Sequence, residues 1–134
     1  MSEGVTTRED WGKLVLRVSV GGLMLFHGLD KLMNGTIGVE GMLAAKGLPA
    51  AAVYGVYVGE VIAPLLLLAG VFVRLAGLVL AINMVVAIAM AHGADLWALN
   101  AHGGWAVELP AFYLLGGLAL AMMGGGRIGF MRKS

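Results

Sequence analysis

A histidine, an aspartate and a lysine lie within one and a half turns of an otherwise apolar segment, LMLFHGLDKLM at residues 23–33. Two acids also stand in apolar surroundings, Glu60 in GEVIAPLLLL and Glu108 in VELPAF. A buried carboxyl group can hold or pass a proton, and a histidine or lysine can hydrogen-bond a carbonyl oxygen of a ligand. These residues predict a polar site in which Glu60 and Glu108 handle protons or polarise a ligand. His27 and Lys31 are predicted to pair with these two acids and to bind the ligand.

The free-energy cost of placing these side chains in lipid supports such a site. An ionisable residue at the centre of a membrane helix costs roughly 2.5–3.5 kcal/mol, whereas a leucine or isoleucine returns only about 0.3–0.6 kcal/mol. A charged group kept at that cost normally faces protein and a partner. At 100° per residue one helical face carries Arg17, Val20, Met24, His27 and Lys31. This stripe is predicted to face the protein interior.

Proline residues follow both candidate acids. Pro64 removes the hydrogen bond that the carbonyl of Glu60 would accept in a helix, and Pro110 does the same to the carbonyl of Ala106, close to Glu108. A helix opened beside a buried acid is tolerated where neighbouring groups or water satisfy the backbone. The pattern predicts a polar cavity in the bundle.

The composition of the whole chain defines where these residues must sit. The 134 residues are 60% hydrophobic and 13% charged, with a mean hydropathy of +0.90, which indicates an integral membrane protein. A net charge of +1 without a long basic run gives a nucleic-acid partner no electrostatic support. Since cysteine is absent, thiolate metal sites and Fe–S clusters are excluded, and redox chemistry would need a borrowed cofactor.

The helical elements follow from the apolar runs. Spanning the bilayer takes about 20 helical residues. We predict an all-α fold in which residues 1–134 form a single transmembrane domain, a four-helix bundle with helices at about 13–33, 50–71, 75–92 and 106–123. The connection NGTIGVEGMLAAKGLP at residues 34–49 has apolar residues at helical spacing and predicts a short interfacial helix. Asn83 is predicted to form an interhelical hydrogen bond.

The basic residues near the helix ends predict the orientation. Lys31 and Lys46 fall on one side of the membrane. The other six share the opposite side: Arg8, Lys13, Arg74, Arg127, Arg132 and Lys133. Both termini are therefore expected in the cytoplasm, and the polar site in the outer half of the bundle. Arg17 is expected to reach the cytoplasmic headgroups. Because the N-terminal segment is acidic and Arg17 interrupts the apolar run, we expect the first helix to be retained rather than cleaved.

Five segments, in this order and spacing, resemble the DoxX family of small bacterial and archaeal four-helix membrane proteins. They extend over residues 14–130 and are HGLDKL (27–32), KGLP (46–49), GEVIAPLLLLAGVFVRLAGL (59–78), GGWAVELPAFYLLGGLAL (103–120) and GGGRIGF (124–130). The family's HG-x-x-K element corresponds to His27, Gly28 and Lys31, and its two acids to Glu60 and Glu108. The acidic residue with which the family commonly closes is replaced here by a basic one.

The resemblance also implies a function. Founding members are associated with thiosulfate:quinone oxidoreductase and terminal oxidase complexes, and others with membrane complexes that handle thiol or oxidative stress. The chain is accordingly expected to be an accessory or anchor subunit of a quinone-linked oxidoreductase complex in a bacterial or archaeal cytoplasmic membrane. Its expected partners are the lipid bilayer and either redox subunits or further copies of itself, and quinone is the candidate cofactor.

Three alternatives stay open at this point. A small-solute or ion carrier would use charged residues at successive depths and would need an oligomer. A metal site could draw on His27, His92 and His102 with Glu60 or Glu108, although no H-x-x-x-H or H-E-x-x-H spacing is present. In a purely structural bundle the polar groups would only join helices.

Overall fold

The structure, a computed structural model, describes residues 5–91, 96–131 and 134. This part of the chain is helical and contains no β-strand, apart from one isolated bridge in the loop before the last helix. Its five helices are α1 (Arg8–Asn34), α2 (Ile37–Ala45), α3 (Ala50–Ala69), α4 (Val73–Ala91) and α5 (Glu108–Met123). The all-helical prediction is confirmed.

Three helices, α1, α3 and α4, are long and apolar enough to cross a membrane. The fourth predicted span corresponds to α5, which is equally apolar but has 16 residues. At ~1.5 Å per residue α5 is about 24 Å long, somewhat shorter than a hydrocarbon core of about 30 Å. The helices therefore support a multi-pass membrane protein.

The start of α1 is fixed by a capping box. The side chain of Thr7 accepts a hydrogen bond from the backbone N–H of Asp10 at 3.3 Å, and the Asp10 carboxylate accepts one from the Thr7 N–H at 2.9 Å. Both bonds satisfy N–H groups that a helix start leaves without partners. The helix consequently begins at Arg8, five residues before the predicted start.

The helix α3 is not a uniform α-helix. A 3₁₀ turn opens it, and a π turn at Val58–Ile62 interrupts it, closed by a hydrogen bond from the N–H of Ala63 to the carbonyl of Val58. Pro64 follows directly and lacks the N–H that an α-helix would use here. The helix ends at Gly70, whose left-handed backbone (φ 71°) suits glycine.

The core lies among α1, α3, α4 and α5, and its buried members are Val20, Met24, Ala63, Leu67, Val73, Ala76, Leu80, Met84, Tyr113 and Leu120. Two glycines set the distance between α4 and α5. A Cβ atom on Gly77 would lie 2.6 Å from the Gly117 carbonyl oxygen, and one on Gly117 would lie 2.7 Å from the Gly77 carbonyl oxygen. The two backbones therefore touch, as small residues permit in membrane helix pairs.

Arg17 does not reach the headgroups, and that prediction is wrong. Its side chain is buried, with 2% of the residue exposed, and its guanidinium donates to the carbonyl of Leu67 at 2.9 Å and to that of Gly125 at 2.8 Å. A third bond goes to the carbonyl of Ile128. The stripe prediction explains this, since the face that holds Arg17 points inward. There the end of α3 and the glycine-rich tail (residues 124–131) supply the carbonyl groups that accept from it.

Candidate functional site

A partly buried ion pair joins α1 to the π turn of α3. The ammonium group of Lys31 lies 2.6 Å from Oε1 of Glu60. Glu60 is 6% exposed and Lys31 is half-buried near the C-terminal end of α1. Two of the four predicted site residues are thus in direct contact.

The second carboxylate oxygen of Glu60 is held by α4. The side-chain amide of Asn83 donates to Oε2 at 3.3 Å. Gly59 makes this approach possible, because a Cβ there would lie 2.5 Å from Cβ of Asn83. Both oxygens of the acid therefore face donors, one from each neighbouring helix, which fixes the orientation of the carboxylate.

The backbone at Glu60 is as constrained as its side chain. A Cβ atom on Gly28 would overlap the carbonyl oxygen of Glu60 and lie 2.7 Å from its carbonyl carbon. The backbone of α1 therefore packs directly against the carbonyl whose α-helical donor Pro64 removes. This turn and its glycine contact position the acid beside Lys31. Single π turns within α-helices are frequently found at functional sites.

A cavity of about 550 Å³ opens beside the ion pair, between α2, α3 and α4. Its polar lining consists of Lys31, Glu60 and Asn83, and the remaining lining residues are apolar or glycine: Val39, Met42, Leu43, Ala52, Gly55, Val56, Val58, Val79, Ile82, Val86, Ala87 and Met90. An apolar pocket with a few convergent polar groups is the usual form of a small-molecule site. Its chemistry suits a ligand with an apolar body and a hydrogen-bonding head.

The other two predicted site residues lie elsewhere. His27 is exposed, and its ring meets the edge of Tyr113 on α5, with centroids 5.9 Å apart and an interplanar angle of 85°. Glu108 is exposed at the start of α5 and accepts a hydrogen bond from the Asn100 amide at 3.3 Å. Neither residue lines the cavity, so the structure does not bring the four together.

The prediction that Pro110 opens a helix beside Glu108 is wrong. The helix α5 begins at Glu108, which places Pro110 in the first turn. Backbone N–H groups in a first turn have no helical acceptor, so proline costs nothing there. Of the two predicted breaks, the one at Pro64 is present.

The residues proposed for a metal site are not gathered in one place. No group of three or more histidines and acids close enough to hold a metal ion occurs within residues 5–91, 96–131 and 134. His102 is exposed in the loop before α5, and His27 is on α1. His92 lies outside the described residues.

The sequence model of the DoxX family matches residues 12–93, more than half of the chain. The chain belongs to the DoxX family. The match confirms the resemblance and includes Lys31, Glu60 and Asn83, whereas Glu108 lies beyond it. Searches of curated proteins and of solved structures found no match.

Two features of the candidate site do not follow from the sequence pattern. Asn83 was assigned an interhelical hydrogen bond, but nothing in the pattern identified Glu60 as its acceptor. Likewise the apolar residues of α2 form one wall of the cavity, although the sequence suggested only that they face a membrane surface. The sequence signal for the role of Asn83 is that it is the single side-chain amide within the apolar run of α4.

Proposed function

We propose that this DoxX protein is an accessory subunit of a quinone-linked oxidoreductase complex and that its cavity binds the quinone. One observation carries the proposal: an apolar cavity that ends on the partly buried Lys31–Glu60 pair and the Asn83 amide. A quinone has the matching form, with a ring that carries carbonyl acceptors and an apolar tail.

The side chains present fit such a group. The Lys31 ammonium has three N–H donors, and its contact with Glu60 uses one of them, which leaves donors for a headgroup oxygen. The Glu60 carboxylate can take up or release a proton beside that oxygen. A bound quinone would supply two-electron, two-proton chemistry. Electrons would have to come from a partner subunit, since the sequence has no cysteine ligands for an Fe–S cluster and no flavin or haem motif.

The same proposal includes a membrane arrangement. In it α1, α3, α4 and α5 span the cytoplasmic membrane as one domain, α2 lies at the outer interface, and both termini are cytoplasmic. The distribution of basic residues supports this orientation. Trp11 and Trp97, both exposed, would lie at opposite headgroup regions, where tryptophan is enriched. Functional roles for His27 and Glu108 stay predictions.

The test compares quinone retention between variants that change the cavity and one that does not. Wild-type protein, Lys31→Gln and Glu60→Gln are purified from native membranes in mild detergent, and the extracted quinone is quantified per chain. Asp30→Asn is the matched control, because Asp30 neighbours Lys31 but is exposed and bonds only to Asn34 among the described residues.

We expect wild type and Asp30→Asn to retain quinone at a fixed ratio. A lost charge-assisted hydrogen bond is worth about 1.5–3 kcal/mol, so Lys31→Gln should bind roughly 10- to 100-fold more weakly. Equal retention in all variants, or none in wild type, would contradict the binding site. The same preparation tests the subunit role: a flavin, haem or Fe–S protein at a fixed ratio supports it, and a pure homo-oligomer contradicts it.

A further inference from the structure

A second cavity, of about 240 Å³, lies at the other end of α1. The first turns of α1, the start of α4, the end of α5 and the glycine-rich tail enclose it. Lys13, which lines it, precedes Lys31 by 18 residues, or about 27 Å along a helix. It is therefore separate from the site proposed for quinone, and its lining is charged rather than apolar.

The tail that forms one wall is held in place from two directions. The buried carboxylate of Asp10 accepts a hydrogen bond from the backbone N–H of Arg127 at 3.1 Å. From the interior, Arg17 binds the carbonyls of Gly125 and Ile128. The wall is thus fixed by the fold before any ligand arrives. This gives the GGGRIGF segment a role that the quinone proposal does not use.

Glycines in the tail lie close to two basic side chains of the helices. Gly124 has φ +78°, and a Cβ there would lie 2.8 Å from Nε of Arg74. Gly126 has φ +76°, and a Cβ there would lie 3.1 Å from Oδ1 of Asp10 and 3.4 Å from Cδ of Lys13. Both glycines occupy backbone conformations that other residues rarely adopt. The basic side chains of α1 and α4 consequently converge on the same stretch of backbone.

These cations retain unused donors. Within the described residues Lys13 makes no hydrogen bond or ion pair, and the Arg74 guanidinium makes one long contact, 3.4 Å to the carbonyl of Met123. The acid Asp10 is occupied by Thr7 and the tail, whereas Glu9 is exposed. Two basic side chains with free N–H groups therefore face a small polar space.

We propose that this cavity binds the phosphodiester headgroup of an anionic phospholipid. Lys13 and Arg74, which line it, have unused N–H donors, and N–H donors of basic side chains bind the oxygens of a phosphodiester. Its position at the ends of membrane helices, with the exposed Trp11 in the first turns of α1, points to lipid rather than dissolved phosphate. Basic pockets between membrane helices are known to take such headgroups.

The first experiment identifies the ligand. The full chain in mild detergent is titrated with phosphatidylglycerol, phosphatidylcholine or inorganic phosphate. Bound molecules are counted by native mass spectrometry, and the thermal unfolding midpoint is recorded. We expect one phosphatidylglycerol per chain and a raised midpoint with this lipid alone. Equal binding of phosphatidylcholine would overturn the proposal. If inorganic phosphate displaces the lipid, or raises the unfolding midpoint equally, the bound group is not a lipid headgroup and the proposal is overturned.

The second experiment locates the site. A basic residue near an anionic lipid surface contributes about a fivefold gain in affinity, so Lys13→Gln and Arg74→Gln should each weaken phosphatidylglycerol binding about fivefold. Arg74→Lys should retain most of it, and Glu9→Gln should tighten it. Arg8→Gln is the matched control, because Arg8 is exposed at the same end of α1 but does not line the cavity. An equal loss in Arg8→Gln, or no gain in Glu9→Gln, would overturn the assignment.

Discussion

Replacing Gly28 with alanine should separate α1 from α3 at the ion pair. The added Cβ would overlap the backbone carbonyl of Glu60 and lie 2.8 Å from a methyl group of Val61. A side chain could rotate away from such a contact, but a carbonyl within the π turn cannot. The helices must therefore move apart, and Lys31, one turn further along α1, would be drawn away from its carboxylate.

The expected loss of stability follows from two opposing terms. Overpacking of this kind costs typically about 1–3 kcal/mol, and contact with backbone places Gly28→Ala in the upper part of that range. Alanine in a helix returns up to about 1 kcal/mol relative to glycine. We therefore expect Gly28→Ala to lose about 1–2 kcal/mol net. Gly22→Ala is the matched control, since its Cβ would make an ordinary 3.9 Å contact with Leu68 and should stabilise the protein or leave it unchanged.

Thermal unfolding of both variants in one detergent measures this difference, and quinone content measures its effect on the site. A loss of 1 kcal/mol lowers the unfolding midpoint by roughly 2–4 °C in a chain of 150–250 residues, and by more in a smaller one. The midpoint of Gly28→Ala should therefore fall by several degrees. Its quinone content should also fall, while Gly22→Ala keeps both. Gly28→Ala with wild-type stability and wild-type quinone content would refute the proposed close contact at Glu60.

Three further predictions concern polar groups and close packing. Lys31→Gln should lower the free energy of unfolding by about 3 kcal/mol, because it leaves Glu60 as an unpaired buried charge. Adding Glu60→Gln should restore part of that stability. If unfolding measurements show that the two effects simply add, the residues are not a coupled pair. Arg17→Met should release the glycine-rich tail, seen as faster proteolytic cleavage there, and an unchanged cleavage rate would contradict the role of the three carbonyl bonds. Gly59→Ala should displace the asparagine that holds the carboxylate and lower quinone binding. Gly12→Ala should not, because its Cβ meets no atom within 4 Å and Gly12 does not line the cavity; equal effects would exclude that explanation.

Insertion cost and helical periodicity were sufficient to find part of the site. Charges in an apolar run must have partners, and this requirement identified Lys31 and Glu60 as candidates. The inward stripe on α1 correctly includes Arg17, Val20 and Met24, all buried. The helix break at Pro64 followed from the chemistry of proline alone.

The partners themselves could not be read from the sequence. Insertion cost says that Arg17 needs acceptors, but those acceptors are backbone carbonyls of α3 and of the tail, and no side-chain pattern encodes them. His27 lies on the predicted face, yet it is the next residue, Gly28, that packs against the backbone of α3, while the imidazole meets Tyr113 on α5. Such outcomes depend on distances between helices, which periodicity within one helix does not determine.

Photoaffinity labelling with an azido-quinone tests the central claim most directly. The DoxX protein in native membranes is illuminated with the probe, digested, and mapped by mass spectrometry, with excess unlabelled quinone as competitor. We expect competable labels within residues 52–60 of α3 and 79–90 of α4, the walls of the cavity beside Lys31, and their loss in Glu60→Gln. Labels confined to the outer face of α5, or labels that unlabelled quinone does not displace, would contradict the proposed site.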